Sequence, residues 1–186
     1  MKTLNPMIFL VPVIALLLTS LLYFSLLKKV TDKRTFNVYV FTVIILAFLL
    51  NFAWELIQMP LYNRASFSMD HIAFCALGAV ADVIMVLLLY LGLAFIFNNP
   101  LWIQSLNWKR IALMILIGGI GGILGEMRHL SMGSWAYADS MPIIPLINVG
   151  VSPVLQFMTL PLLSYFFSFY YMDSSRKKLI IDDGSK

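Results

Sequence analysis

Three acidic residues, Glu55, Asp82 and Glu126, stand within long apolar stretches of the chain. A charged side chain at the centre of a membrane helix costs about 2.5–3.5 kcal/mol on insertion scales, so acidic groups at such positions usually mark a functional site. Paired carboxyl groups in a low-dielectric pocket can hold a proton and deliver it to a bound molecule. We therefore predict acid–base chemistry, with Glu55 as the acid and Asp82 or Glu126 as the group that orients or accepts the proton.

Each of these acids belongs to a stripe of polar or small residues at helical spacing. The four predicted stripes are Asn51, Glu55 and Gln58; His71, Cys75, Gly78 and Asp82; Gly118, Gly122, Glu126 and His129; and Asn148, Ser152, Gln156 and Thr159. Stripes of this kind cannot all face lipid, because amides and carboxylates without partners are costly there. We expect them to face one another and to form a polar pocket near one surface of the membrane.

Other residues near that pocket are predicted to bind a substrate. Arg128 and His129 would set its charge balance, while aromatic rings would line an apolar cavity that can stabilise a cation. The predicted substrate-binding residues are Asn51, Trp54, Gln58, His71, Arg128, His129, Trp135, Tyr137 and Gln156.

Two structural interpretations of the same residues stay open. Hydrogen bonds between amides on neighbouring helices are ordinary packing in membrane bundles, worth about 0.6 kcal/mol each. An ion pair of Arg128 with Glu126 or Glu55 would also stabilise the bundle without any chemistry. The chain has two histidines and one cysteine, too few for a typical zinc site, so we expect no metal and no cofactor.

The elements that must position these residues are transmembrane helices. Hydrophobic residues make up 61% of the 186 residues and charged residues 12%, far from the composition of a soluble domain. Apolar runs at about 7–27, 36–59, 71–97, 111–130 and 146–172 are each long enough to cross a bilayer. The sequence predicts an all-α integral membrane bundle of about five helices in one domain, 1–172, followed by a polar cytoplasmic tail, 173–186.

The basic residues predict the orientation of the bundle. Ten fall on one side of the predicted helices, namely Lys28, Lys29, Lys33, Arg34, Lys109, Arg110, Arg176, Lys177, Lys178 and Lys186, and three on the other, Lys2, Arg64 and Arg128. Because positively charged loops stay in the cytoplasm, the N-terminus is expected outside and the C-terminus inside, in a bacterial inner membrane. The polar pocket then lies in the outer half of the membrane.

Glycine and proline predict local features of two helices. Gly118 with Gly122, and Gly121 with Gly125, are pairs of small residues four apart that favour close helix packing. In the fifth apolar run, Pro153 and Pro161 would each free a backbone carbonyl and kink the helix.

Several segments resemble a family of small, uncharacterised bacterial multi-pass membrane proteins. The segments are NFAWELIQMPLY (51–62), HIAFCALGAVAD (71–82), GEMRH (125–129), WAYADSMPIIP (135–145) and VSPVLQFMTLP (151–161). The element Asn51-x-x-Trp54-Glu55 also resembles one in integral-membrane terpene cyclases, small helical enzymes in which the acid starts cyclisation. That resemblance implies an isoprenoid substrate, with Glu55 as the acid and Asp82 or Glu126 as the second one.

These observations lead to one main expectation and two alternatives. The first is an intramembrane enzyme that acts on a lipid or isoprenoid; the others are a membrane binding protein or carrier for a small apolar or cationic solute, and a subunit of a membrane assembly. The expected partners are membrane lipid and a hydrophobic small molecule, without nucleic acid, and the oligomeric state is left open.

Overall fold

The computed structural model describes residues 10–63 and 65–184, with side chains as far as residue 174. Its five α-helices are α1 (Leu10–Leu27), α2 (Lys33–Gln58), α3 (Met69–Ile96), α4 (Trp108–Ser131) and α5 (Val151–Gly184). All five are long and apolar enough to cross a membrane, which confirms the predicted number of apolar helices. Lys2, Arg64 and Lys186 lie outside the described residues, as do the side chains of Arg176, Lys177 and Lys178.

Side chains fix where three of the helices begin. Asp32 accepts a hydrogen bond from the Thr35 backbone N–H at the start of α2, and Asn107 does the same for Arg110 at the start of α4. Ser68 caps α3. At the other end of α2, a 3₁₀ turn over Met59–Leu61 contains Pro60 and ends the helix.

The helices pack side by side in the order α1, α3, α2, α5, α4, with few contacts between α3 and α4. Two pairs of loops lie at opposite ends of this arrangement. At one end Lys29 Nζ lies 3.5 Å from Asn98 Oδ1, which joins the α1–α2 and α3–α4 loops. At the other end the Asn63 backbone N–H donates to the Ala136 carbonyl oxygen at 2.8 Å, which joins the α2–α3 and α4–α5 loops. We call these the basic end and the lid end.

An aromatic core holds the helices together at the basic end. Tyr39, Tyr90, Trp102 and Tyr165 are all fully buried and in ring contact with one another. Their polar atoms bond to backbone carbonyls: the Tyr165 hydroxyl to Val86 at 2.6 Å and the Trp102 indole to Tyr90 at 3.2 Å. These contacts pack α2, α3 and α5 together at the end of the bundle opposite the lid end.

The fifth helix begins at Val151, five residues later than the apolar run at 146 predicted. The preceding residues form a short hairpin in which β1 (Ile143–Ile144) pairs with β2 (Val149–Gly150). Leu146 and Asn148 have φ values of 74° and 53° in its turn, directly after Pro145, so a helix cannot continue through them.

Three predictions for the fifth apolar run were wrong. Asn148 is exposed in the hairpin and does not join the polar stripe, and Thr159 is also exposed and bonds to the Leu155 carbonyl oxygen of its own helix. Pro153 falls in the first turn of α5, where a missing N–H costs nothing, and Pro161 alone lies inside the helix. Beyond the apolar part, α5 continues as helix into the polar segment 173–186.

The two glycine pairs of α4 have different environments. Gly118 and Gly122 contact α5, where the Phe157 backbone and side chain and the Pro153 carbonyl oxygen approach them. A methyl group at Gly121 or Gly125 would meet no other atom within 4 Å. The prediction of a helix contact was therefore correct for the first pair and wrong for the second, since only one face of α4 meets α5.

Candidate functional site

The amide of Gln156 lies at the centre of the polar residues. Its Nε2 atom is 2.9 Å from Asp82 Oδ2, 3.0 Å from Asn51 Oδ1 and 3.3 Å from Glu55 Oε1. The Gln156 side chain is 1% exposed, so this amide has no alternative partner in solvent. A single residue of α5 thus brings together two acids from α2 and α3.

Gln58 extends the network toward the lid end. Its Nε2 atom donates to Glu55 Oε1 and to Gln156 Oε1, both at 3.0 Å. Its side-chain oxygen Oε1 accepts a hydrogen bond from the Ser152 hydroxyl at 2.9 Å. We call the six residues Asn51, Glu55, Gln58, Asp82, Ser152 and Gln156 the carboxyl–amide cluster.

Helical spacing explains how the cluster forms. Asn51, Glu55 and Gln58 follow one face of α2, and Ser152 and Gln156 are one turn apart on α5, which packs against it. Gly78 of α3 lies beside the acid of α2: a methyl group there would be in ordinary van der Waals contact with the carboxyl carbon of Glu55, at 3.9 Å. The stripes predicted on α2, α3 and α5 do face one another at these positions.

Glu126 occupies a separate position at the lid end of α4. It is 8% exposed and accepts hydrogen bonds from the Trp135 indole, at 3.2 Å, and from the Tyr137 hydroxyl. The Tyr137 oxygen in turn accepts the Gly150 backbone N–H at 2.9 Å. Glu126 also interacts electrostatically with Glu55 and Asp82, although it shares no hydrogen bond with them. It therefore joins α4 to the loop that follows it.

Two loops cover this end of the bundle as a small lid, formed by residues 61–63 and 135–138. They pair in antiparallel fashion through Tyr62 and Tyr137, with the Ala138 N–H donating to the Leu61 carbonyl oxygen at 2.9 Å. The Tyr62 ring centre lies 5.6 Å from that of Tyr137 and 6.2 Å from that of Trp135. The lid thus presents three aromatic rings beside the acids.

The two tyrosines of the lid are held in their neutral form. Burial raises the pKa of Tyr62 above its ordinary value, and the charges of Glu126 and Glu55 raise it further. Burial also raises the pKa of Tyr137, followed by its hydrogen bond to Glu126. Both phenols therefore remain protonated throughout the physiological pH range.

Other predicted site residues lie outside the carboxyl–amide cluster. His71 Nδ1 lies 3.0 Å from the hydroxyls of both Ser66 and Ser68 at the start of α3, so its contacts are with the α2–α3 loop. The His129 ring stacks on Trp135 with centres 4.2 Å apart. His129 therefore lies beside the indole that donates to Glu126, whereas the contacts of His71 are at the start of α3.

Trp54 and Arg128 are both partly buried. Arg128 lies in the last turn of α4. The Trp54 indole N–H is buried and makes no hydrogen bond to the described residues.

Two residues of the site were missing from the predicted set. Ser152 belonged to the predicted stripe of the fifth helix, and its spacing from Gln156 was enough to include it. Tyr62 was visible only as the last residue of the segment 51–62, because its place beside the acids depends on pairing with a loop some 75 positions later. The described residues contain no group of three or more His, Cys, Asp or Glu side chains arranged to hold a metal ion.

Comparison of the chain with protein-family models, with curated proteins and with solved structures found no match.

Proposed function

We propose that the five helices cross a lipid bilayer and that the carboxyl–amide cluster is the acid–base site of an enzyme acting on a lipid or isoprenoid. The membrane part of the proposal is supported by the exposed surface. Leu17, Leu21, Phe41 and Ile57 are between 60% and 77% exposed, a pattern that suits contact with lipid. The excess of basic residues at the basic end favours placing that end in the cytoplasm of a bacterial cell.

The observation that carries the catalytic part is the shared amide. Glu55 and Asp82, from different helices, accept hydrogen bonds from the same Gln156 Nε2, and Glu55 accepts another from Gln58. These donors are neutral amides. A purely structural polar contact could be made by amides alone, whereas two acids with neutral partners are costly inside a bilayer. Such a cost is expected where the acids are used.

The chemistry that suits this arrangement is proton transfer to a carbon–carbon double bond. Glu55 would transfer its proton to one carbon of the double bond, so that its O–H bond breaks, a C–H bond forms and a carbocation results. Loss of a proton from a neighbouring carbon to Asp82 then forms a new double bond. These two steps move a double bond without any co-reactant. A ring closes when the electron pair of a second double bond in the same molecule attacks the carbocation to form a C–C bond, before the new cation loses its proton to Asp82.

The lid supplies a second requirement of this chemistry. A carbocation needs electron-rich surroundings and exclusion of water, and the faces of Tyr62, Trp135 and Tyr137 are aromatic surfaces that can provide both. In this proposal Glu126 anchors the lid through Trp135 and Tyr137 and is not itself the acid.

Deuterium uptake by lipids tests the proposal without knowledge of the natural substrate. The purified protein would be reconstituted in vesicles of bacterial lipid extract containing squalene as an isoprenoid probe, and incubated in D₂O. Reversible protonation of a double bond exchanges C–H for C–D, which mass spectrometry detects. We expect exchange above that of protein-free vesicles, and a loss of at least about 100-fold in Glu55→Gln.

Asp139→Asn is the matched control, because Asp139 is an exposed acid of the α4–α5 loop away from the cluster. It should retain full exchange. Exchange that survives in a folded Glu55→Gln protein would refute the acid–base mechanism. A lipid that copurifies with the protein and never acquires deuterium would identify a binding protein instead.

A further inference from the structure

The carboxyl–amide cluster has fewer amide hydrogens than contacts that require one. An amide NH₂ group carries two hydrogens, so Gln58 and Gln156 together supply four. Their nitrogens make five donor contacts within the cluster: Gln58 to Glu55 and to Gln156, and Gln156 to Asn51, Glu55 and Asp82. One contact therefore lacks a hydrogen of its own.

Rotating the Gln156 amide does not remove the shortage. With its oxygen and nitrogen exchanged, the oxygen would face the acceptor oxygens of Glu55 and Asp82, and its NH₂ group would face the NH₂ group of Gln58. The surroundings thus fix the orientation seen in the structure. The longest of the five contacts, at 3.3 Å, is the one between Gln156 and Glu55.

A proton on one carboxyl group would remove the need for the fifth hydrogen, because a neutral carboxyl oxygen requires fewer donors than a carboxylate oxygen and Gln58 already donates to Glu55. Two ionised carboxylates that share a neutral donor repel each other strongly in an apolar bundle, and one proton between them relieves that repulsion. Among the described residues, the titratable groups that interact with the pair include Glu126 from α4, Tyr62 from the lid and Cys75 from α3. α5 contributes the uncharged Gln156 and Ser152. The negative charge of Glu126 adds to the repulsion and favours the same proton.

We propose that Glu55 and Asp82 hold a single proton between them at neutral pH, and that Gln156 is the positioning residue that keeps the two carboxyl groups in this relation. The use of that proton in catalysis rests on the proposed function; the shared proton itself does not. Gln156, predicted from the sequence to bind substrate, acts instead on the two acids.

Infrared spectroscopy of the protein in lipid vesicles tests the proposal, because a protonated carboxyl group has a C=O stretching band distinct from that of a carboxylate. At neutral pH exposed acids are ionised, since their pKa values are near about 4. We expect a band equivalent to one carboxyl group per chain. Labelling aspartate with ¹³C should move only part of that band, because the proton is divided between Asp82 and Glu55.

Removing both acids identifies the source of the band. The band should be absent from the double variant Glu55→Gln/Asp82→Asn. A band that survives there belongs to another acid such as Glu126. Subtracting it from the wild-type band should leave one carboxyl group, and a remainder of zero or two groups would refute the proposal. None of these measurements needs a substrate, so they can succeed or fail independently of deuterium uptake by lipid.

The role of Gln156 has its own variant and control. In Gln156→Leu the carboxylates lose their shared donor, so the pH at which the band disappears should rise by about one unit. Gln104→Leu makes the same change at an exposed glutamine of the basic end and should leave the titration unchanged. If Gln156→Leu lowers thermal stability without moving the titration, Gln156 is only structural. If Gln156→Leu fails to fold, the titration of the band is measured instead in Gln58→Ala, which removes one donor to Glu55 and leaves Gln156 in place.

Discussion

Gly118 of α4 and Phe157 of α5 approach so closely that a methyl group on Gly118 would overlap the Phe157 carbonyl oxygen. The obstacle is backbone, which cannot move aside as a flexible side chain can. This contact sets the distance between α4 and α5 and therefore the position of Glu126, two turns further along α4, relative to the carboxyl–amide cluster.

We predict that Gly118→Ala destabilises the protein by about 1–3 kcal/mol, the usual range for overpacking. The cost arises because the two helices must separate to admit the methyl group. Thermal unfolding in detergent would measure the effect. Gly121→Ala is the matched control: the same substitution in the same helix meets nothing within 4 Å. It should be neutral or slightly stabilising, because alanine favours helix. Equal losses in both variants would contradict the observed α4–α5 contact.

The pairing of loops at the lid end leads to a prediction about hydrogen exchange. The Gly150 N–H donates to the Tyr137 hydroxyl oxygen, so Tyr137→Phe removes its acceptor as well as one hydrogen bond to Glu126. We expect amide exchange in the peptide containing Gly150 to become faster by about 5- to 10-fold, since a lost hydrogen bond costs about 1–1.5 kcal/mol.

Tyr170→Phe provides the comparison for that measurement. Tyr170 is 66% exposed near the basic end of α5, so its hydroxyl does not hold the lid. Exchange at Gly150 should match the wild type there. Unchanged exchange in Tyr137→Phe would mean that the lid is held by its backbone pairing alone.

The helices and much of the cluster could be predicted from sequence because both follow from local spacing. Positions 51, 55 and 58 share a helix face whatever surrounds them, and an acid such as Asp82 in an apolar helix must find a polar partner. The partner itself could not be deduced: that Gln156 joins Glu55 to Asp82 depends on which helices are neighbours, and spacing within one helix does not determine this. The hairpin at 143–150 was missed because isoleucine, leucine and valine continue the apolar pattern through its turn.

The orientation of the bundle is a prediction from its charges. Lys28, Lys29, Lys109 and Arg110 lie at the basic end, which should face the cytoplasm. Reporter fusions after Asn99 and after Lys186 should therefore behave as cytoplasmic. A fusion after Asp139, in the α4–α5 loop, should behave as periplasmic and serves as the internal comparison. A periplasmic response from the fusion after Asn99 would reverse the proposed topology.

Because the lid tyrosines are neutral in the folded protein, we predict that alkaline pH destabilises it. Burial and nearby carboxylates raise the pKa of Tyr62 above the value near 10 of an unfolded chain. Because the pKa is raised in the folded state, folding favours the protonated phenol. The contribution of Tyr62 to the free energy of unfolding is therefore fully present below about pH 10 and is lost as the pH rises above that value. The thermal unfolding midpoint of the wild type should therefore decrease when the pH is raised from 9 to 11, two values on either side of the reference pKa of about 10.

Tyr62→Phe has no phenol to ionise at this position, so its midpoint should decrease less. Tyr170→Phe, which alters an exposed phenol, is the control, and its midpoint should decrease as much as that of the wild type. A pH dependence in Tyr62→Phe as steep as that of the wild type would show that other groups cause the loss of stability.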